Sequence, residues 1–469
     1  MKARSEAEQW AQAEFGDAWF GDKRRTERFV RMVAGAAEKP CGKLSEVYSS
    51  KELDAAYDFV ENPNLSVAQL EAVVGSSTAR RCAKQRVRVA IDGSSLTLTK
   101  RPIGKVKGFG PIGTLKQRAQ GLKVISALAM GEGGVPIGIL AQSWWARRYA
   151  PRRTLKQCKR DRMKKKPGQK ETARWLDVMG CSAERLDAVG AVGWFQLDRE
   201  ADAWPMLLSL AANGHFFTVR SAWNRLLAGV GDKQYLRQRM AKTKPIGGYV
   251  VDVPARGRHK ARRARMVIHV ARVTLLLREK MNGKRPRPLE LNIVWVHEIG
   301  APRGVPRLNW MLLTNAPIAT LTDALEVVDG YVFRWRIEEF HRSWKTGSCD
   351  VECTQLRSRD AVIRWATILA VVAARVERIK RLGREEPERP ASDELSDVEI
   401  EVLIALKRRI KRRKEQILNR MPTMAEASRW LADIGGYMAS SGGPHGSITI
   451  RRGLERVQMG AEAVIAVRQ

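Results

Sequence analysis

Two aspartates, a glutamate and the cations around it have the types and spacing that phosphoryl-transfer chemistry needs. Asp92 ends the apolar run in VAIDGSS, and Asp198 ends the run in FQLDREAD. A carboxylate just past a strand end is rigidly held and points into the crevice where α/β sheets bind ligands. Two such groups on neighbouring strands offer the hard oxygen ligands that Mg²⁺ prefers, although an Asp at such a place is also a common turn former or helix cap. Glu338 lies in Tyr331–Lys345, YVFRWRIEEFHRSWK. At about 100° per residue, Tyr331, Arg334, Glu338, Arg342 and Lys345 share an arc of about 80°. Phe333, Ile337, Phe340 and Trp344 fall on the opposite side. An amphipathic helix with ordinary i,i+4 ion pairs would give that pattern alone. Beside the two aspartates, it reads as one more metal ligand next to a phosphate clamp.

The elements that must position these groups follow from periodicity and turn residues. Strands are expected at Val87–Ile91, Gly121–Met130, Val135–Leu140, Ala188–Leu197 and His215–Arg220, with a helix over Glu200–Ala212. That order describes an α/β unit with a mixed sheet. Ala264–Leu277 and Leu289–Val296 are long β-type runs, and Asn282-Gly283 between them is a hairpin signal. One continuous helix is expected over Leu321–Lys345, capped by Thr320 and Asp323. Lys23–Ala37 and Ser45–Val60 read as helices, as do Leu395–Leu418 and Met424–Ile434, with Gly383–Pro390 as a polar linker. On Lys23–Ala37, Phe29, Met32, Val33 and Ala36 form an apolar face, and Arg24, Arg25, Arg28 and Arg31 lie largely on the other.

Charge selects the partner. The 469 residues carry 84 Lys and Arg against 50 Asp and Glu, a net charge of +34. Such an excess repels itself in a folded chain, and a polyanion is its natural complement. Nucleic acid is the expected one, since Lys and Arg displace condensed counterions from phosphates. The segment Arg147–Arg174 is the most basic, with 13 cations and 2 acids, and it is expected to form a loop. The longest apolar stretch, Ala366–Ala374, is too short to span a bilayer. No apolar segment follows Met1-Lys2-Ala3-Arg4, and six irregularly spaced Cys fit a reduced compartment, so a cytoplasmic protein is expected.

These motifs together resemble the bacterial DDE transposases of insertion sequences with a Tyr-Arg-Glu-Lys signature, the cut-and-paste group that includes the transposase of the composite kanamycin-resistance transposon. The signature Y-x2-R-x3-E-x6-K is met by Tyr331, Arg334, Glu338 and Lys345. FGDKRRTERFV, QSWWARR, DREAD with FFTVRS, NWMLLTNAP and LADIGGYMASS also match, in order along nearly the whole chain. At the first acid the family often has two Thr, whereas here Asp92 precedes Gly93-Ser94-Ser95.

The resemblance implies an RNase-H-like catalytic core, a mixed sheet flanked by helices and split by a β-strand insertion domain, between helical N- and C-terminal domains. The segments would be 1–75 for DNA-end binding, 76–222 and 316–382 for the core, 223–315 for the insertion and 383–469 for dimerisation. It implies that Asp92, Asp198 and Glu338 are catalytic and hold two Mg²⁺ ions, with Mn²⁺ as substitute. Tyr331, Arg334 and Lys345 would grip phosphate, and Trp310 would stack a flipped base. Arg220 and Arg342 would be further DNA contacts, and Arg24, Arg25, Arg28 and Lys43 would help recognise the ends. The partners would be double-stranded DNA, as inverted-repeat ends and target, and a second copy in a synaptic homodimer near the bacterial nucleoid. A nuclease with the same triad, or a DNA-binding inhibitor, are the alternatives. Gly108–Gly113 fits G-x-G-x-x-G but precedes a strand and contains Pro111, which argues against dinucleotide binding. Cys349 and Cys353 lack a second ligand pair for structural zinc, and His341 is expected on the surface.

Overall fold

A computed structural model describes residues 5–98, 108–113, 119–148, 154, 156–157, 160, 170–229, 234–255, 257, 259–277, 286–411, 413, 415–439 and 443–468. The basic centre Lys164-Lys165-Lys166-Pro167-Gly168 and the hairpin signal Asn282-Gly283 lie outside the described residues. The fold is mixed α/β, with helices flanking strands paired in both senses. The strands are β1 Arg86–Thr97, β2 Gly110–Pro111, β3 Gln120–Met130, β4 Pro136–Trp145, β5 Val192–Leu197, β6 Phe216–Arg220, β7 Pro245–Val253, β8 Arg262–Leu277, β9 Arg287–Ile299 and β10 Asn309–Thr314. Contacts divide the chain into two units. One comprises Met1–Ala83, Gly93–Pro151 and Arg336–Gln469; the other comprises Lys84–Asp92 and Arg152–Trp335.

In the second unit the strand order is β1-β5-β6-β10-β9-β8-β7. The pairs β1/β5 and β5/β6 are parallel, and the remaining pairs are antiparallel. Alternation along β5 sends Trp194 and Gln196 to one face and Phe195 to the other. Helix Leu321–Phe333 covers the first face, where Ala324, Val327, Val328 and Tyr331 pack with Trp194, Ile268, Val294, Val296 and Leu312. Gly330 lets that helix approach the sheet closely, since a Cβ there would stand 2.9 Å from Gln196 Nε2 and 3.2 Å from Arg88 Nε and those side chains would have to shift. The long runs expected as a β insertion are β8 and β9, paired from Arg265↔Ile299 to Leu277↔Arg287. They extend the sheet through β10.

Several expected elements differ at their ends or interiors. The helix expected over Glu200–Ala212 is a short 3₁₀ turn, Arg199–Ala201, followed by Trp204–Ala212, with Asp202 outside helical geometry between them. The strand expected over Ala188–Leu197 begins only at Val192, because helix Glu171–Asp187 runs up to it. Leu321–Lys345 is two helices, Leu321–Phe333 and Arg336–Lys345. Arg334 N–H and Trp335 N–H donate to Tyr331 and Val332 three residues back. Such 3₁₀ tightening turns the chain by about 120° per residue, so the arc of a single α-helix does not carry across it.

The first unit is built around helix Arg359–Glu385, buried along most of Ala361–Leu382. This is where the apolar run Ala366–Ala374 goes, and no described helix is long and apolar enough to cross a membrane. Trp365 Nε1 donates to Gly42 O at 3.0 Å, and Trp344 Nε1 donates to Ala366 O at 2.8 Å. The helix expected over Ser45–Val60 is broken into Leu44–Val47 and Ser50–Glu61. Tyr48 turns inward at the break, and its hydroxyl donates to Met32 O at 2.6 Å. The linker expected at Gly383–Pro390 is instead ordered structure. The long helix runs through Gly383 against Ser428, and Ala391 N–H donates to Pro422 O at 2.9 Å. The helix expected to reach Leu418 stops at Ile410.

Candidate functional site

The β1/β5 register ends at Ile91↔Leu197, and Asp92 and Asp198 are the residues that follow this last pair. Asp198 lies just past the end of β5, as expected, whereas Asp92 lies inside β1, which continues to Thr97. Both carboxylates are half-buried. Asp198 Oδ1 accepts from Glu200 N–H at 2.8 Å, capping the 3₁₀ turn. Arg334 Nη1 donates to Asp92 Oδ2 at 3.2 Å. The Arg334 guanidinium also lies 5.8 Å from the Tyr331 ring centre, and Tyr331 lies 6.3 Å from Trp310. Asp92, Arg334, Tyr331 and Trp310 are thus one run of contacts, with Asp198 beside its first member. Tyr331 is a buried core residue rather than a surface one.

The run borders a cavity of about 570 Å³ whose lining includes Arg199, Arg220, Arg237, Arg307, Trp295 and Trp310, and no carboxylate. Arg199 follows Asp198 directly, and Arg220 Nη2 donates to Asn309 O at 3.1 Å. The wall after Arg220 is held by Asp202. Its fully buried carboxylate accepts from the N–H groups of Ala222 and Trp223 at 2.6 and 3.0 Å and from Arg225 Nε at 2.9 Å. The cavity is therefore a fixed anion-attracting site. Sequence reasoning missed Arg199, Arg237, Arg307, Trp295 and Asp202. The second aspartate of DREAD was the one available signal, and it pointed to none of the cavity residues.

Glu338, Arg342 and Lys345 belong to the other unit, on helix Arg336–Lys345. Glu338 is half-buried and Arg342 exposed. Lys345 Nζ lies 3.5 Å from Glu352 Oε1. Ile337, Phe340 and Trp344 are buried, as the amphipathic pattern requires. His341 is buried too, contrary to expectation, and burial pushes its imidazole down to about 3, with Lys345 adding to the effect. The face expected to carry one carboxylate and its cations is therefore divided at Arg334-Trp335.

The four basic residues expected to recognise DNA ends lie on or beside the N-terminal helices. Arg24, the most exposed, pairs with Asp22 at 3.1 Å, and Asp22 caps helix Lys23–Glu38. Arg25 Nη1 donates to Phe20 O at 3.0 Å, Arg28 pairs with Glu52, and Lys43 pairs with Glu46. Lys407 is buried and bound to Asp433 and Glu415 at 2.8 and 2.9 Å.

Asp92 and Asp198 have the donor chemistry that suits a hard divalent cation. Among the described residues, no group of three or more His, Cys, Asp or Glu side chains is placed to hold a metal ion. The pair fits as part of a ligand set.

Residues 7–65 match the family model for the transposase DNA-binding domain. That match supports a transposase, and it supports DNA as the partner.

Proposed function

We propose that the chain is a DNA transposase that binds the inverted-repeat ends of its own element, cuts them by metal-dependent phosphoryl transfer and joins the freed 3′-OH ends to target DNA. The match of residues 7–65 to a transposase DNA-binding domain carries this reading. Asp92 and Asp198, which follow the last β1/β5 register pair beside the arginine-lined cavity, support its chemistry. The catalytic core is of the RNase-H-like kind, and Asp92, Asp198 and Glu338 are the residues that hold two Mg²⁺ ions. When bound, the ions supply charge stabilisation for the attacking and leaving oxygens. Arg334, beside Asp92, and Lys345 hold phosphate near the scissile bond. Tyr331 buttresses Arg334, and Trp310 stacks a base extruded when the cut strand folds back into a hairpin. Arg220 and Arg342 contact the strand, and Arg24, Arg25, Arg28 and Lys43 read the ends. Two copies act together, as a homodimer that pairs the ends.

The test uses the full chain and duplexes ending in the inverted repeats that flank its gene. Asp92→Asn, Asp198→Asn and Glu338→Gln are each expected to lower cleavage in Mg²⁺ by at least about 10²-fold while end binding stays within a few-fold, because affinity comes mainly from phosphate contacts elsewhere. A variant that cleaves near the parental rate removes its residue from the triad. Cleavage without strand joining would make the protein a nuclease.

A further inference from the structure

We propose that the arginine-lined cavity binds a short single-stranded DNA segment, with one base stacked on Trp295 and phosphates on Arg199, Arg237 and Arg307. The choice of DNA rests on the function proposed above; the stacking site itself rests on local geometry.

Trp295 is half-buried on β9, and its ring has an unusual backing. His269 lies opposite it on β8, and His297 lies two residues on along β9. The ring centres are 4.8 Å apart for His269–Trp295, 4.3 Å for Trp295–His297 and 5.2 Å for His269–His297. Imidazoles on opposite faces of the indole would be separated by roughly the sum of the first two distances, about 9 Å. They are far closer, so both back the same side. The opposite side is the one left to the cavity that Trp295 lines. Trp295 Nε1 donates to Asn309 Oδ1 at 3.0 Å, which fixes the indole's orientation.

The backing is fixed as well. His269 Nδ1 lies 2.8 Å from Thr243 O, and a carbonyl can only accept, so His269 donates there. His269 Nε2, on the other side of that ring, lies 3.2 Å from His297 Nε2 and ties the two imidazoles together. Arg199, Arg237 and Arg307 are exposed at their chain positions yet converge on the same cavity. A rigid aromatic face beside guanidinium groups, with no carboxylate to compete, is the arrangement that holds unpaired nucleotides: the π-face takes the base and the cations track the backbone. Duplex DNA keeps its bases stacked and cannot offer one to Trp295.

The experiment measures binding of a labelled oligothymidylate of about six nucleotides to the full chain by fluorescence anisotropy. The comparison ligands are a duplex of equal length, the same strand with abasic sites, and oligouridylate. Trp295→Leu is expected to weaken binding of the intact strand roughly tenfold, in line with about 1–3 kcal/mol for base–aromatic stacking. It should change binding of the abasic strand less than twofold. Arg237→Ala and Arg307→Ala, both at exposed positions, are expected to weaken both strands and flatten the salt dependence. Equal losses for intact and abasic strands in Trp295→Leu would overturn the stacking site, as would parental binding in all three variants. Duplex bound as tightly as the single strand would also overturn it, and equal binding of oligouridylate would overturn the assignment to DNA. Strand binding with this pattern in a protein that never cleaves DNA would uphold the site and sink the transposase reading instead.

Discussion

His341 shows how one side chain can couple the fold to pH. Its imidazole is buried beside Phe340 and Trp344, and among the described residues Nε2 finds no hydrogen-bond partner. Burial therefore lowers its proton affinity to about 3, from the ordinary 6.5. Below pH 6.5 the unfolded chain takes up a proton that the folded chain refuses. Stability present above pH 6.5 is lost as the pH falls towards 3, roughly 2 kcal/mol of it by pH 5. Glu38 acts in the opposite sense. Burial, with Glu462 adding to it, raises its carboxyl to about 7, so its contribution is full below pH 4.5 and fades as the pH climbs through 7. Comparing variant with parent separates the two. His341→Leu is expected to be at least as stable as the parent at pH 7 and to lose less stability between pH 7 and 5 in urea titrations. Identical pH slopes would show that His341 is not neutral in the folded state. At this scale the sequence is partly legible. An apolar run ending in Asp marks Asp198 as a strand-end carboxylate, because a strand's local composition is visible, whereas Asp92, read the same way, lies inside β1, which runs on to Thr97. The Arg334–Asp92 bond and the convergence of Arg199, Arg237 and Arg307 are relations between distant segments, and no local pattern encodes them.

Helix Arg336–Lys345 was readable as an amphipathic element, since Ile337, Phe340 and Trp344 repeat with helical period and all three are buried. Its separation from Leu321–Phe333 was not, because neither Pro nor Gly stands at Arg334-Trp335 to announce it. The break in Ser45–Val60 is hidden in the same way: half-buried Tyr48, bonded to Met32 O, stands where helix propensity alone would continue the helix. What holds helix Arg336–Lys345 against helix Arg359–Glu385 is partly ionic. Glu339 pairs with Arg381 and lies 3.9 Å from Lys380 Nζ and 3.7 Å from Arg336 Nη1, and Arg336 also bonds Glu385 at 2.8 Å. The Arg381 and Lys380 side chains are more than nine-tenths buried. Removing the carboxylate takes one partner from each buried cation, leaving Arg381 with Glu385 at 3.5 Å and Lys380 with Glu377, and weakening such a buried pair typically costs up to about 3–5 kcal/mol. Glu339→Gln is therefore expected to lower unfolding free energy by that order. The double variant Glu339→Gln/Arg381→Gln should recover part of the loss, because it removes a cation that has lost a partner. Additive losses in chemical denaturation would mean the pair is not coupled.

For the whole chain, the charge of +34 identified a polyanion as partner, and the match over residues 7–65 agrees with that reading. The association of chain ends was less visible, because polar composition at Gly383–Pro390 resembles a linker while its backbone is bonded into the unit. The C-terminal helices share a core with the long helix: Val376, Ile379 and Leu382 pack with Leu403, Met424, Leu431, Ile450 and Leu454. Helix Ser447–Arg468 also touches helices Glu6–Phe15 and Lys23–Glu38, within or beside the DNA-binding segment. Burying a Leu, Ile or Met side chain contributes about 1.5–3 kcal/mol, whereas a whole domain is stable by only about 5–15 kcal/mol. Deleting residues after Gly383 removes more than a dozen buried apolar side chains from this cluster and uncovers their partners. The shortened chain is therefore expected to lose cooperative thermal unfolding, associate in gel filtration and bind transposon ends at least about tenfold more weakly, although residues 7–65 remain. If it instead unfolds cooperatively and binds single ends with parental affinity, the C-terminal helices form a separable module, and the shared core does not support the DNA-binding segment.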